Sequence, residues 1–181
     1  MRHDHPLIER YASAEMIEIF TPHARARLWR EIWCALAETQ RELGVEIPEA
    51  AIREMRGALD RIDLARVAEL EKELRHDVMA HVHHFGEVAP KARPYLHLGA
   101  TSADITDNAD LILHRRALDL VRRRVVRAVA TLRDFAATHR DLATLGFTHF
   151  QPAQPTTVGK RATLWIHDLL LDVQELDARL A

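Results

Sequence analysis

TSADITDNADLILHRRALDLVRRRVVRAVATLRDFAATH, residues 101–139, sets the architecture expected of the whole chain. Thr101-Ser102-Ala103-Asp104 has the S/T-x-x-D form of a capping box, in which a hydroxyl and a carboxylate satisfy the backbone donors that open a helix. Asp104 and Asp107 add negative charge where a helix N-terminus favours it. From there Ile105, Ile112, Leu113, Leu120, Val121, Val125, Val129, Leu132 and Phe135 recur at helical spacing, with no Gly or Pro before His139. The pattern predicts one helix of about 35 residues, roughly 50 Å long at 1.5 Å per residue. A helix of that length suits a bundle or an assembly interface.

Toward the C-terminus, LGFTHFQPAQPTTVGKR, residues 145–161, interrupts the helical pattern. Pro152 and Pro155 deny it a continuous helix, so a shaped loop is expected. His149 has Thr148 and Gln151 close by, side chains able to fix an imidazole's tautomer and orientation. Thr156 and Thr157 are N-cap candidates, and the N–H groups of the helix they open suit an anion. A plain helix–helix connection, its histidine satisfied by nearby backbone, accounts for the same residues. Leu164, Trp165, Ile166, Leu169, Leu171 and Leu176 then mark another long helix, which runs to Ala181 without a C-terminal cap.

Toward the N-terminus, PKARPYLHLGAT, residues 90–101, reads as a loop and as the boundary between an N-terminal helical domain, 1–98, and the start of a long-helix bundle domain, 99–181. Thr21 as N-cap and Pro22 at the first helical position open a helix through Leu28, Trp29, Ile32, Trp33, Leu36, Thr39 and Leu43, which Gly44 stops. Pro48 opens a shorter helix to about Leu59. Asp63 caps one through Leu64, Val67, Leu70 and Leu74, and Asp77 restarts another. Ser13 caps a short helix ending near Phe20, and residues 1–12 read as irregular.

Composition agrees with an all-α fold. The chain has 181 residues, 48% hydrophobic and 29% charged, with only 6 Gly and 7 Pro. That length holds one substantial domain or two small ones. A net charge of −2 gives no electrostatic footprint for nucleic acid or a membrane surface, so neither is expected as a partner. The single Cys34 rules out a disulfide framework and fits a reducing compartment. No apolar run approaches the ~18 residues of a membrane span, and MRHDHPLIER lacks the apolar core of a signal peptide, so a cytoplasmic protein is expected.

Twelve histidines invite a metal or an acid–base reading. On a helix His81 and His84 share a face while His83 points away, and the chain has neither HExxH nor a Cys pair, so no metal or other cofactor is expected. The arginines at 115, 116, 122, 123, 124 and 127 lack interleaved aromatics and read as a solvated or interface face. Arg75-His76-Asp77 is either a helix-end ion pair or a face for a charged ligand. For Thr101-Ser102, a cap is sufficient explanation.

Four stretches taken together carry a resemblance. RYAS at 10–13, RHDVMAHVH at 75–83, HLGATSADITDNADL at 97–111 and GFTHFQPAQPTTVGK at 146–160 resemble, in order and spacing, segments of the adenylosuccinate lyase family of the fumarase/aspartase superfamily. The resemblance implies β-elimination of fumarate from adenylosuccinate, giving AMP, and from the succinylated aminoimidazole carboxamide ribotide (SAICAR), giving AICAR, in purine synthesis. It implies His149 as the general acid that protonates the leaving nitrogen. Arg10 and Tyr11 would bind the nucleotide phosphate, Arg75, His76 and Asp77 the substrate, and Thr101 and Ser102 the succinyl carboxylate, with His97 near the phosphate. It also implies a homotetramer with active sites shared among subunits.

The family's mobile Gly-Ser-Ser loop, which carries the serine base, has no counterpart here. The chain is therefore expected to hold the N-terminal domain and first bundle helices, to be inactive alone, and to expose apolar stripes that favour self-association. Argininosuccinate lyase or another fumarate-releasing lyase, and a non-catalytic helical oligomerisation module, are the alternatives.

Overall fold

The computed structural model describes residues 5–181, which form two compact units dividing after His114, inside the longest helix. Apart from one two-stranded hairpin the secondary structure is helical, as the composition predicts. Among the described residues no helix is long and apolar enough to cross a membrane.

The first unit begins with α1 (Pro6–Arg10), a helical turn where an irregular segment was expected; residues 1–4 of that segment lie outside the described residues. Pro6 stands at the helix start and the His5 side chain accepts from Leu7 N–H at 3.2 Å, so an imidazole supplies the cap that the sequence did not advertise. In α2 (Ala14–Ile19) and α3 (Pro22–Glu42) the predicted caps form: Ser13 Oγ accepts from Met16 N–H and Thr21 Oγ1 from Ala24 N–H, at 3.3 and 3.1 Å. Gly44, at φ 96°, ends the α3 run in the left-handed conformation that favours glycine.

Next come α4 (Glu49–Gly57), α5 (Leu64–Leu74) and α6 (Asp77–Val88), then a 3₁₀ turn at Arg93–Tyr95. Trp29 and Trp33 of α3, Ile52 and Met55 of α4, Val78 and Phe85 of α6, and Ile105 and Leu113 of α7 (Ser102–Thr138) share one buried core. Arg30 lies in it, 1% exposed. Its guanidinium donates to the carbonyls of Ala58 and Arg61 at 2.5 and 3.0 Å, and its Cζ stands 4.6 Å from the Phe85 ring centre. Burial pulls its pKa down to about 10, so it stays charged at neutral pH. Arg30 thus ties α3 to the end of α4 through backbone carbonyls, with no carboxylate in ion-pair reach among the described residues.

Two histidines of α6 are structural. The His81 ring lies edge-on to Trp29 at 4.9 Å, and burial, followed by Arg30 and His84, lowers its pKa to about 4. His84 is buried, its Nε2 accepts from Asp63 N–H at 2.9 Å, and its pKa is also lowered, chiefly by burial. Because Nε2 accepts, neutral His84 carries its proton on Nδ1, 3.5 Å from Glu87 Oε2. Among the described residues no group of three or more His, Cys, Asp or Glu side chains is placed to hold a metal.

The lowered values fix a pH dependence. The unfolded chain takes up the His81 proton near the ordinary value of 6.5, whereas the folded chain takes it up only near 4. The stability from neutral His81 is therefore complete above pH 6.5 and lost as pH falls toward 4. Between pH 7 and pH 5 the first unit is expected to lose about 2 kcal/mol, with His84 acting in the same direction. Urea denaturation at the two pH values, with His81→Phe removing most of the difference, measures it; a flat profile would contradict the assignment.

In the second unit, which begins at Arg115, the remainder of α7 is followed by β1 (Ala143–Thr148), β2 (Gln151–Thr157) and α8 (Val158–Leu180). The expected loop is an antiparallel hairpin in which Thr148 pairs with Gln151, Phe147 with Pro152 and Leu145 with Pro155. Between the last two pairs the register slips by one, so Ala153 and Gln154 together face Gly146 as a bulge. A two-stranded ribbon has two free edges, which is why both prolines are tolerated.

Thr157 caps α8 as predicted, accepting from Lys160 N–H at 3.1 Å. The neighbouring donors are also taken, Val158 N–H by Leu142 O and Gly159 N–H by His139 O, both at 2.9 Å. The anion site expected at this helix start is therefore corrected: its donors are spent on the chain itself. An Arg122–Asp177 ion pair links α7 to α8.

Candidate active site

The 75–77 stretch forms the tight corner between α5 and α6. Arg75 ends α5 in the left-handed conformation, φ 53°, with its N–H bonded to Glu71 O at 2.7 Å. His76 is the N-cap of α6, and its Nδ1 accepts from Met79 N–H at 3.3 Å, so the neutral ring carries its proton on Nε2. Asp77 opens α6 with its carboxylate 3.6 Å from His76 Nδ1. With Glu71, these three line a shallow open depression whose cation, imidazole and carboxylate face solvent.

The 97–104 stretch forms the entry to α7. Thr101 N–H donates to Asp104 Oδ2 at 2.8 Å, the returning half of the predicted capping box. His97, at φ 60°, accepts from the Trp33 indole N–H at 3.1 Å. Burial lowers its pKa; Asp104 and His76 act on it too, in opposite directions, which puts the corner and the helix entry within electrostatic reach of each other.

Arg10 and Tyr11 close α1 and are exposed, and no hydrogen bond joins them to either stretch among the described residues. His149, in the second unit, is exposed at the hairpin tip. It and Phe150 are the two turn residues, at φ 51° and 61°, where Asn-Gly is the usual solution. Arg161 Nη2 braces the hairpin from α8 through Leu145 O at 2.7 Å.

Backbone strain falls on three of these residues and on Phe150. Among the described residues the non-glycine positions with positive φ are Arg75, His97, His149 and Phe150. Each costs on the order of 1 kcal/mol, and such outliers concentrate at functional sites. Sequence reasoning missed Trp33 and Gln40, which hold the His97 loop from α3. The available signal was a glutamine seven residues after a tryptophan, two turns along the same helix face.

Compared with known proteins, residues 10–180 match the family described as Lyase. The chain belongs to the lyase family. It is 48% identical over 172 residues to an adenylosuccinate lyase of Schistosoma mansoni and 47% identical over 175 residues to that of Saccharomyces cerevisiae; each match covers 95% of this chain and 36% of the relative. The chain thus spans about a third of the length of the curated relatives it matches.

Among solved structures, this lyase-family chain is similar to a 3-carboxy-cis,cis-muconate lactonizing enzyme from Pseudomonas putida, with TM-score 0.85 and 28% identity over 96% of this chain and 41% of that one. It is similar also to a fumarate lyase from Mesorhizobium sp. BNC1, with TM-score 0.83 and 30% identity, covering 92% of this chain and 40% of that one.

Proposed function

We propose that this chain works as part of an adenylosuccinate lyase, releasing fumarate from adenylosuccinate to give AMP and from SAICAR to give AICAR. The observation that carries the reading is that all four strained non-glycine positions, Arg75, His97, His149 and Phe150, fall in the stretches that resemble the family's substrate-binding and acid segments. The match to adenylosuccinate lyases at up to 48% identity supports it.

The elimination needs a base at carbon, an acid at the departing nitrogen and fixed positive charge for the carboxylates. In this reading His149 is the acid. Arg10 and Tyr11 bind the phosphate with His97, Arg75, His76 and Asp77 bind the substrate, and Thr101 and Ser102 take the succinyl carboxylate at the N-terminus of α7. The base comes from a segment outside these 181 residues. The reading extends to a cytoplasmic homotetramer, its protomers divided at 98/99 into an N-terminal helical domain and a long-helix domain. Exposed Leu164, Trp165, Leu170 and Leu171 on α8 support the association.

The test is fumarate release by the chain completed to full family length, from its own reading frame or by fusion to a relative's remaining segments. Turnover of adenylosuccinate and not of argininosuccinate is expected, with none from the 181-residue chain alone. Turnover of argininosuccinate instead, or of neither substrate, would overturn the assignment.

A further inference from the structure

Trp33 is packed among apolar rings, 1% exposed, edge-on to Trp29 and tilted against Phe85. Its one polar atom leaves that setting: Nε1 donates to His97 Nδ1 at 3.1 Å, the two ring planes 89° apart. An indole N–H can only donate, so His97 Nδ1 must present its lone pair, and the proton of the neutral ring is on Nε2. Two turns further along α3, Gln40 Nε2 donates to Leu98 O at 2.7 Å, and Ala100 N–H returns to His97 O at 3.3 Å. Between these anchors the backbone is left-handed at His97 and Gly99, φ 60° and 68°. A loop with two such residues is held in shape from outside itself, and α3 supplies the hold.

We propose that Trp33 is a positioning residue that fixes His97 as its Nε2–H tautomer, so that the uncharged ring offers a hydrogen-bond donor to an anionic substrate oxygen. This rests on the proposed function for its substrate. Unfixed, neutral imidazole exchanges between tautomers, and the other form would turn a lone pair toward the anion. The titratable groups that face His97 are Asp104 from α7, which favours its protonation, and His76 from the α5–α6 corner, which opposes it; burial outweighs both. The ring is therefore neutral near pH 7, and its donor depends on the tautomer alone. His76 shows the same arrangement with a backbone donor, Met79 N–H, on its Nδ1.

The decisive measurement is ¹⁵N NMR of the His97 ring in the 181-residue protein. The wild type is expected to show the Nε2–H tautomer at pH 7, and Trp33→Phe, which keeps an aromatic ring but no N–H, a mixture. In the completed lyase, Trp33→Phe is expected to raise KM about tenfold, the worth of one lost hydrogen bond, with a rise in KM several times any fall in kcat. In a His97→Gln background the same substitution is expected to add nothing. A merely structural Trp33 would lower thermal stability without the KM effect, and that result would overturn the proposal. An Nδ1–H tautomer in the wild type would overturn it too, needs no variant to fold, and leaves the proposed function standing. Absence of turnover by the completed wild type would instead overturn that function and the substrate half of the proposal, whatever the tautomer.

Discussion

Replacing His149 by alanine in the chain completed to full family length is expected to lower kcat for fumarate release by about 10²- to 10⁴-fold, the contribution of a positioned general acid. The departing nitrogen leaves as a poor anion unless it is protonated as the bond breaks, so a missing acid acts on the transition state and not on ground-state binding. KM should therefore move far less than kcat. No neighbour is expected to substitute, because His149 sits at a two-residue turn with both φ angles positive, a constrained tip. Alanine gains no relief from that turn, since it disfavours positive φ as other L residues do. His149→Gln, similar in reach but unable to deliver a proton, should be as impaired as His149→Ala. Activity within tenfold of wild type in both variants would remove His149 from the chemistry.

The second large effect is on stability. Gly159→Ala is expected to destabilise the second unit by about 3 kcal/mol or more, measured by urea denaturation. A Cβ at Gly159 would stand 2.5 Å from Ala136 O, 2.6 Å from Arg140 Cα and 2.8 Å from Arg140 N. All three are backbone atoms at the end of α7 and just beyond it, so relief requires the helices to part. Parting them would also break the Gly159 N–H bond to His139 O and the Val158 N–H bond to Leu142 O. Gly86 is the internal control. A Cβ there has the Arg93 side chain as its nearest neighbour, Cγ at 3.0 Å and Cβ at 3.4 Å, so a shift of a few tenths of an ångström at Arg93 relieves it, and alanine improves helix propensity. Gly86→Ala should cost clearly less than Gly159→Ala; a loss below 1 kcal/mol at Gly159 would mean that the α7–α8 crossing is compliant.

The helices were legible because their ends are written locally. Thr21-Pro22, Asp63, Thr101 with Asp104, and Thr157 all cap as their side-chain chemistry predicts. Three features were not legible, each for a different reason. The hairpin was hidden because prolines at 152 and 155 argue against a strand in any sheet with neighbours on both sides, a condition that a lone ribbon escapes. The anion site expected at the start of α8 fails because its donors go to carbonyls of residues 139 and 142, acceptors that become local only once the chain folds back.

The left-handed residues carry no signal either, since Arg, His and Phe are not the residues that turns ordinarily recruit. Of the candidate site, the stretches were named by resemblance. What holds them, Trp33 on His97 and Gln40 on Leu98, comes from a helix more than fifty residues earlier. The histidine-rich stretch is explained the same way: His81 and His84 are occupied by Trp29 and by the backbone N–H of Asp63.

Arg30 has a consequence for how the first unit responds to its solvent. Dissolved ions weaken attractions between exposed opposite charges, such as Arg66 with Glu87 or Arg56 with Glu38, by crowding around both partners. They have no access to a guanidinium sealed against two carbonyls and an aromatic face. Concentrated electrolyte therefore loosens the rim of this helical cluster while leaving its central rivet untouched.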